Sequence, residues 1–336
     1  MRFMMTSLVR SAVALGLAGM VGAASAATTL KIASEENFGT PPRVAAQFGL
    51  ERLRDLLPQA TGKAFDVKLY PNATLGSEKA LIKSVADGTI DATVMSPGNL
   101  AGMVPEVQLF SASYLFTGYE HAKKVLASKE FLDRMKQIVR DRKLGFQLAA
   151  VSLTGTRNLY NRVKPVNSVD GLSGMKMRVM NSPTEFKVWS TLGMLPSTIP
   201  GPEIYSSLQS GVVDAAESSL PAIVGGKYYE VAPHVTLTHH QYNLHLYVIG
   251  DKTLAKIPAA QQPAVFKVFE DAASHQVDAA VKLSGEKLEF LRSQAKVTVS
   301  EVDPRPFATK LMPIQDQVAK ELKMEDVLKL IRAAGK

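Results

Sequence analysis

The sequence has no cysteine, and its 336 residues include only one tryptophan and nine tyrosines. Without cysteine the chain cannot form disulfides, use thiol chemistry or ligate a metal through a thiolate. So few large aromatic side chains argue against a stacking platform for carbohydrates or nucleobases. Dense Lys/Arg runs are missing too, although the formal net charge is +8. We therefore expect an anionic small ligand and no nucleic acid partner.

The first 26 residues have the order of charge and hydropathy that is typical of a secretory signal peptide. Arg2 and Arg10 precede an uncharged apolar stretch at residues 11–24, and small residues follow it. We predict cleavage after Ala26, which removes both arginines and lowers the formal charge from +8 to +6. No later stretch approaches the roughly 18 apolar residues of a membrane span. The mature chain is expected to be exported and soluble.

Alternating strand and helix patterns at the start of the mature chain predict an α/β fold. Strand patterns at residues 30–33, 65–69 and 90–95 are separated by two helix patterns. Thr40 is the predicted N-cap of the first helix, and the second follows Ser77. This βαβαβ order predicts a parallel sheet.

A second copy of the later units follows about 123 to 125 residues downstream. Pro71 and Glu78 are seven residues apart, as are Pro196 and Glu203. In each copy a helix then leads to a glycine and a strand, at residues 84–92 and 207–215. Helix-glycine-strand is a common order, so chance is an alternative. We interpret the copies as two similar α/β halves.

Two more strands, at residues 145–153 and 175–180, precede the second copy. Ser182 and Glu185 form a capping box after the later strand, with Pro183 at the first helical position. Beyond Pro258 an apolar stripe with helical spacing continues almost without a break. A helix of this length would brace two domains.

Arg178 is the first candidate binding residue. It lies on the polar face of a short strand just before a helix N-terminus, where open α/β sheets bind ligands. A guanidinium can hold a carboxylate through two hydrogen bonds, and the helix dipole favours the same negative charge. Asn181 would add an amide donor. The alternative is an ordinary surface ion pair.

Arg157 follows a strand in a polar, glycine-containing segment, so it is a weaker candidate for the same crevice. Glu78 and Glu203 each begin a helix, where the dipole favours a carboxylate whatever its function. We interpret Glu203 as structural and leave the role of Glu78 open.

Three histidines raise the alternatives of a metal site or a hydrolase, since His239, His240 and His245 lie close together in sequence. No carboxylate follows at a recognised ligand spacing, and the apolar residues around His245 indicate a strand. The sequence also lacks a nucleophile elbow, a phosphate loop and a dinucleotide fingerprint. We expect no metal and no cofactor, and an enzyme would need an unorthodox active site.

Several motifs resemble those of the extracytoplasmic solute-binding receptors of TRAP (tripartite ATP-independent periplasmic) transporters, typified by the C4-dicarboxylate receptors. In order and spacing they cover nearly all of the mature chain, at residues 69–78, 88–91, 154–157, 174–180, 208–214 and 229–231. The resemblance implies a periplasmic, non-enzymatic receptor with two α/β domains, a cleft at the hinge and a long helix that spans both domains. We assign residues 27–154 plus 244–283 to domain I and residues 155–243 plus 284–336 to domain II.

The same resemblance implies that Arg178 makes a bidentate salt bridge to the ligand carboxylate. Arg157 and Asn181 match further ligand-contacting positions, and contacts that vary with the ligand match Glu78, Ser96, Asn99 and Ser218. Two departures concern the distal pocket: Gly201 stands where some members have an aromatic residue, and Ala215 replaces the usual glycine. The ligand's identity is therefore left open.

These features together predict a receptor that captures a small organic acid and delivers it to the permease subunits of a TRAP transporter. A C4-dicarboxylate is the leading expectation, ahead of a keto acid, an aromatic acid or a sugar acid. The alternatives are a periplasmic sensory receptor with the same cleft and an exported hydrolase that uses His239 and His240.

Overall fold

The computed structural model describes residues 27–40 and 42–335. The predicted signal peptide lies outside the described residues, so cleavage after Ala26 stays a prediction. The strands are β1 (Thr28–Ala33), β2 (Phe65–Tyr70), β3 (Ala92–Met95), β4 (Phe146–Asn161), β5 (Lys176–Val179), β6 (Leu195–Thr198), β7 (Ala215–Ser219), β8 (His234–Gly250) and β9 (Thr298–Glu301). The helices are α1 (Ala45–Ala60), α2 (Glu78–Asp87), α3 (Pro97–Leu100), α4 (Tyr119–Leu126), α5 (Lys129–Asp141), α6 (Pro183–Thr191), α7 (Ile204–Ser210), α8 (Leu220–Gly225), α9 (Asp251–Leu254), α10 (Gln262–Ser293), α11 (Pro304–Leu322) and α12 (Glu325–Ala334).

These strands form one mixed sheet in the order β2-β1-β3-β8-β4-β7-β5-β6, and β9 pairs with β8. At one end β1 lies between β2 and β3 and is parallel to both. At the other end β5 lies between β6 and β7, again parallel to both. We call the first set, with α1 and α2, the first unit, and the second set, with α6 and α7, the second unit.

The matching strand orders confirm the internal repeat. In the first unit α2 ends at Gly88, and in the second unit α7 ends at Gly211. Both glycines have left-handed backbone angles, with φ of 82° and 75°, which favour glycine because it has no Cβ. In each unit the strand that follows, β3 or β7, ends at a cleft that lies between the two units.

Two long antiparallel strands join the units. β4 has 16 residues and β8 has 17, and they pair along most of their length. Their register is irregular between Leu153 and Thr156, where Gly155 has a φ of 121°. This irregularity coincides with the predicted domain crossings after residues 154 and 243. The strand predicted at 145–153 therefore ends too early: β4 runs on to Asn161, so Arg157 lies within a strand and not in the segment after it.

The predicted long helix is α10, with 32 residues and a length of about 48 Å. It packs against α1 in the first unit, crosses β4 and contacts α8 beside the second unit. Its apolar side includes Val265, Phe269 and Leu283, all buried. The helix therefore extends from the first unit to α8 beside the second unit, as the sequence pattern predicts.

The start of α1 and the packing of α12 differ from the boundaries that the sequence pattern predicts. α1 begins at Ala45 and not after Thr40, because the side-chain oxygen of Gln47 accepts hydrogen bonds from the backbone N–H groups of Gly39 and Arg43, at 3.0 and 3.3 Å, and holds a loop there. At the other end, α12 packs against α4 and α5. The C-terminal segment assigned to domain II thus contacts helices assigned to domain I, and the domain boundaries stay a prediction.

Candidate functional site

A cleft lies between the two units, where β1, β3, β5 and β7 end. Six of the seven predicted binding residues line it: Glu78, Ser96, Asn99, Arg157, Arg178 and Ser218. Glu35, Glu36, Glu217, Tyr228 and Asn243 also line it, and the sequence analysis did not identify them. The structure therefore gathers residues that are widely separated in sequence at one edge of the sheet.

Arg178 is positioned by β5 and points into this cleft. Its side chain is buried, and its Nε donates a 2.9 Å hydrogen bond to the carbonyl oxygen of Ile199. In the described part of the chain it forms no ion pair with a carboxylate. Ser182 caps α6 immediately beyond, accepting a hydrogen bond from the backbone of Glu185. A buried guanidinium beside a capped helix N-terminus favours an anion.

Arg157 also lines the cleft, but its charge is already paired. Its Nη2 donates to Oε1 and to the backbone oxygen of Glu217, at 2.6 and 2.9 Å, and its Nε donates to Oε2 of the same residue. Burial alone would raise the pKa of the Glu217 carboxyl, but the Arg157 charge, the nearby His240 and the hydrogen bonds from Arg157 hold that pKa well below its usual range. The two buried residues thus form an ion pair.

Glu78, Ser96 and Asn99 bind one another. Oε2 of Glu78 accepts hydrogen bonds from the backbone N–H of Ser96 and from Nδ2 of Asn99, both at 2.9 Å. Oε1 accepts from the Ser96 hydroxyl at 3.3 Å. Burial raises the pKa of the Glu78 carboxyl, although these hydrogen bonds and the nearby His245 partly oppose the rise. The donors of Ser96 and Asn99 are therefore directed at Glu78.

Glu35 and Glu36 follow β1 and bring two more carboxylates to the cleft. Oε2 of Glu35 accepts a 2.7 Å hydrogen bond from the backbone N–H of Glu78, and Oε1 lies so close to Gly201 that a Cβ there would overlap it. Burial, together with the negative charge of Glu78, raises the pKa of Glu35 to about 7. Oε1 of Glu36 lies 3.2 Å from Nε2 of His245. The rule that ligands bind beyond the carboxyl ends of parallel strands is the signal that would have identified both glutamates.

Neutral polar groups complete the wall. Asn243 donates through Nδ2 to the hydroxyl of Thr154 at 2.6 Å, and its Oδ1 is buried without a hydrogen-bond partner among residues 27–40 and 42–335. Tyr228 stacks on Tyr160 with ring centroids 5.5 Å apart. Burial raises the pKa of Tyr228 to about 12, so its hydroxyl stays protonated at neutral pH. Ser218 lies on β7 and is half-buried.

Asn181 is the one predicted residue that the structure does not bring to the cleft. Its side chain is exposed and lies beside Pro183, Phe186 and Thr198. The reason is the alternation of side chains along an extended segment: Arg178 and Met180 are two residues apart and both line the cleft, whereas Asn181 is three residues from Arg178. The expectation that Asn181 adds a donor beside Arg178 is corrected accordingly.

The side chains of the three histidines contact different groups. His239 faces the hydroxyl of Thr156 at 3.2 Å, and Nε2 of His240 lies 3.3 Å from Glu217. His245 contacts Glu36 as described. Among residues 27–40 and 42–335, no group of three or more histidine, aspartate or glutamate side chains is placed to hold a metal ion. Over the same residues, no helix combines the length and the apolar content that crossing a membrane requires.

A two-unit α/β fold with a polar cleft and a buried arginine is typical of a solute receptor, and sequence comparison identifies the family. Residues 40–322 match the bacterial extracellular solute-binding proteins of family 7, so the chain belongs to that family. A solute-binding protein from Sulfitobacter sp. (strain NAS-14.1) is 32% identical over 271 residues, which is 80% of this chain and 81% of the relative. These are binding proteins, and this chain is not an enzyme.

Solved structures agree. A TRAP periplasmic solute-binding protein from Sulfitobacter sp. NAS-14.1, with bound α-D-taluronate, is 29% identical with a TM-score of 0.84, and the match covers 91% of this chain and 97% of that one. Another, from Polaromonas sp. JS666 and bound to D-erythronate, is 26% identical with a TM-score of 0.83, covering 92% and 98%. The chain is thus a TRAP solute-binding protein with a two-domain α/β fold, and its family binds small organic acids outside the cytoplasm.

Proposed function

We propose that this protein captures a small organic acid in the periplasm through a salt bridge between Arg178 and the ligand carboxylate, and delivers it to the permease subunits of a TRAP transporter. The observation that supports this most directly is the contrast between the two arginines of the cleft. Glu217 neutralises Arg157, whereas Arg178 is buried, donates to the Ile199 carbonyl oxygen and forms no ion pair with a carboxylate among the described residues. An anionic ligand would compensate the charge of Arg178.

Ligand capture would close the cleft. Glu35 and Ser96 belong to the first unit, and Arg178 and Ser218 to the second. A ligand that contacts both units binds the closed arrangement better and shifts the population toward it. The irregular backbone of β4 at Gly155, where the long strands cross from unit to unit, is the natural place for the change in backbone angles.

More than one class of acid fits this proposal. A C4-dicarboxylate is the leading expectation from the sequence, and the solved relatives bind sugar acids such as taluronate and erythronate. The common element is a carboxylate, and Arg178 provides for one such group.

The test begins with mass spectrometry of any acid released from freshly purified protein, followed by calorimetric titration of that acid. Arg178→Ala should cost about 2–5 kcal/mol of binding free energy, as for other truncated buried charge pairs. Arg162→Ala is the matched control, because Arg162 is partly exposed and pairs with Asp214 outside the cleft. Binding that survives Arg178→Ala unchanged would refute the salt bridge.

A further inference from the structure

The cleft has an unusual charge balance for a site that binds an anion. It is lined by four glutamates, Glu35, Glu36, Glu78 and Glu217, and by two arginines, Arg157 and Arg178. With all six ionised, the wall would carry an excess of two negative charges, and the raised pKa values of Glu35 and Glu78 reduce this excess near neutral pH. Only one of the arginines is free of a carboxylate partner in the described part of the chain. The cleft therefore has a cationic end at Arg178 and an anionic side formed by glutamates.

The anionic side also has acceptors without donors. Glu35 Oε2 accepts the backbone N–H of Glu78, but no hydrogen bond to Oε1 is found among the described residues. Independently, Asn243 is 4% exposed, lines the cleft and has an Oδ1 atom with no hydrogen-bond partner in the described part of the chain. A buried acceptor without a donor is costly, so a ligand that supplies donors is favoured there.

The second arginine of the cleft and the donors nearest to Glu78 are already engaged, so none of them is free to hold a second ligand carboxylate. Arg157 is held by Glu217, and the Ser96 and Asn99 donors are held by Glu78. A second carboxylate beside Glu35 and Glu78 would add a third negative charge in a buried place, or would require protons to be taken up. Burial and Glu78 already raise the pKa of Glu35 to about 7, which shows how poorly this place tolerates negative charge.

We infer that the ligand is an acid with a single carboxylate, bound by Arg178, whose far end donates hydrogen bonds from hydroxyl or ammonium groups to Glu35 and Asn243. This inference rests on the proposed function and names the ligand class for the same cleft. It replaces the C4-dicarboxylate expectation. The two kinds of donor share one chemistry, and the experiment separates them.

Three acids with four carbons each make a matched set of probes. Succinate has a carboxylate at its far end, D-erythronate has hydroxyls, and 4-aminobutanoate has an ammonium group. Each is titrated by calorimetry into wild-type protein from which bound acid has been removed by unfolding and refolding. We expect D-erythronate or 4-aminobutanoate, whichever donor the site prefers, to bind at least tenfold more tightly than succinate. Succinate binding as tightly as both would overturn the inference.

Glu35→Gln removes one charge but keeps an oxygen that can accept the backbone N–H of Glu78. It should reduce the preference over succinate by about tenfold. Glu203→Gln is the matched control, because Glu203 is exposed, lies outside the cleft and is the repeat counterpart of Glu78. An unchanged preference in Glu35→Gln would contradict the role given to Glu35.

If none of the three probes binds, the acid recovered from the purified protein decides. A monocarboxylate with donors at its far end supports the inference, and a dicarboxylate or an acid with an apolar tail overturns it. Failure of the proposed function looks different: no acid is recovered, or binding is independent of Arg178. A dicarboxylate that needs Arg178 would leave the proposed function standing and remove only the inference.

Discussion

Replacing Arg178 by methionine should abolish ligand binding without destabilising the empty protein. Arg178 is buried, its Nε has one backbone acceptor, and no carboxylate forms an ion pair with it in the described residues. Removing a buried charge that has no ion-pair partner, and filling its space with an apolar side chain, is often neutral or stabilising. Arg157 is the matched comparison with the opposite expected effect on stability, because its loss would leave Glu217 buried and unpaired.

The magnitudes follow from this difference. We expect the free energy of unfolding of ligand-free Arg178→Met to equal the wild-type value or to exceed it by up to about 2 kcal/mol. Arg157→Met should lose about 3–5 kcal/mol, the cost of breaking a buried pair. At a ligand concentration of about 100 Kd, the wild type gains about 2.7 kcal/mol and Arg178→Met gains nothing.

The assay is urea unfolding monitored by tryptophan fluorescence. The sequence contains a single tryptophan, Trp189, which is buried in α6 with its ring 5.0 Å from the His240 ring. Its emission therefore reports on the second unit, and circular dichroism reports on the whole chain. Protein is first freed of bound acid by refolding. A loss of more than 1 kcal/mol in empty Arg178→Met would refute the reasoning, since it would mean that Arg178 is compensated internally.

Two further predictions concern the backbone and the pH dependence of stability. Gly155→Ala should lower the free energy of unfolding by about 1–3 kcal/mol in urea, because φ is 121° and a Cβ would come 3.0 Å from a hydroxyl of α10. Gly285 lies in open space within that helix, so Gly285→Ala should raise the free energy of unfolding by up to about 1 kcal/mol. Equal effects of the two substitutions would contradict this prediction. Burial, with the charge of Glu217, raises the pKa of Glu185 to about 7, so the native state holds a proton that the unfolded state releases. Stability should therefore fall as the pH rises from about 4.5 to 7, with Glu35 contributing in the same sense, and Glu185→Gln should flatten the fall in urea midpoint measured from pH 5 to pH 8. A slope that is the same in Glu185→Gln would count against this assignment.

The local elements and the position of Arg178 could be predicted from sequence because their causes are local. Ser182, Pro183 and the alternation in β5 determine a strand, a cap and a helix within ten residues. The pairing of Arg157 with Glu217 could not be predicted, because it depends on β4 continuing through Gly155 to meet β7. The sequence alone therefore places Arg157 in a loop after the strand, without a carboxylate partner.

The carboxylates of the cleft also could not be identified from local sequence patterns. Glu35 and Glu36 follow the carboxyl end of β1. That position indicates a ligand site only because β1 pairs in parallel with β3, so that both strands end at the cleft. The short-range pattern also misplaced Asn181, since proximity in sequence to Arg178 does not place two side chains on one face. Side-chain direction and long-range pairing decide the composition of the site, and both are properties of the assembled sheet.

The long strand β8 has a consequence for the order of folding. β3 pairs with it from Ala92↔Ile249 to Met95↔Leu246, so the first unit leaves a sheet edge uncovered until residues far along the chain have arrived. Such distant pairings make folding slow, because the entropy of closing a long loop is lost before the contacts form. An uncovered edge is also prone to pair with another chain. A fragment that ends before β8 should therefore aggregate, and the protein should mature as a single cooperative unit despite its two halves.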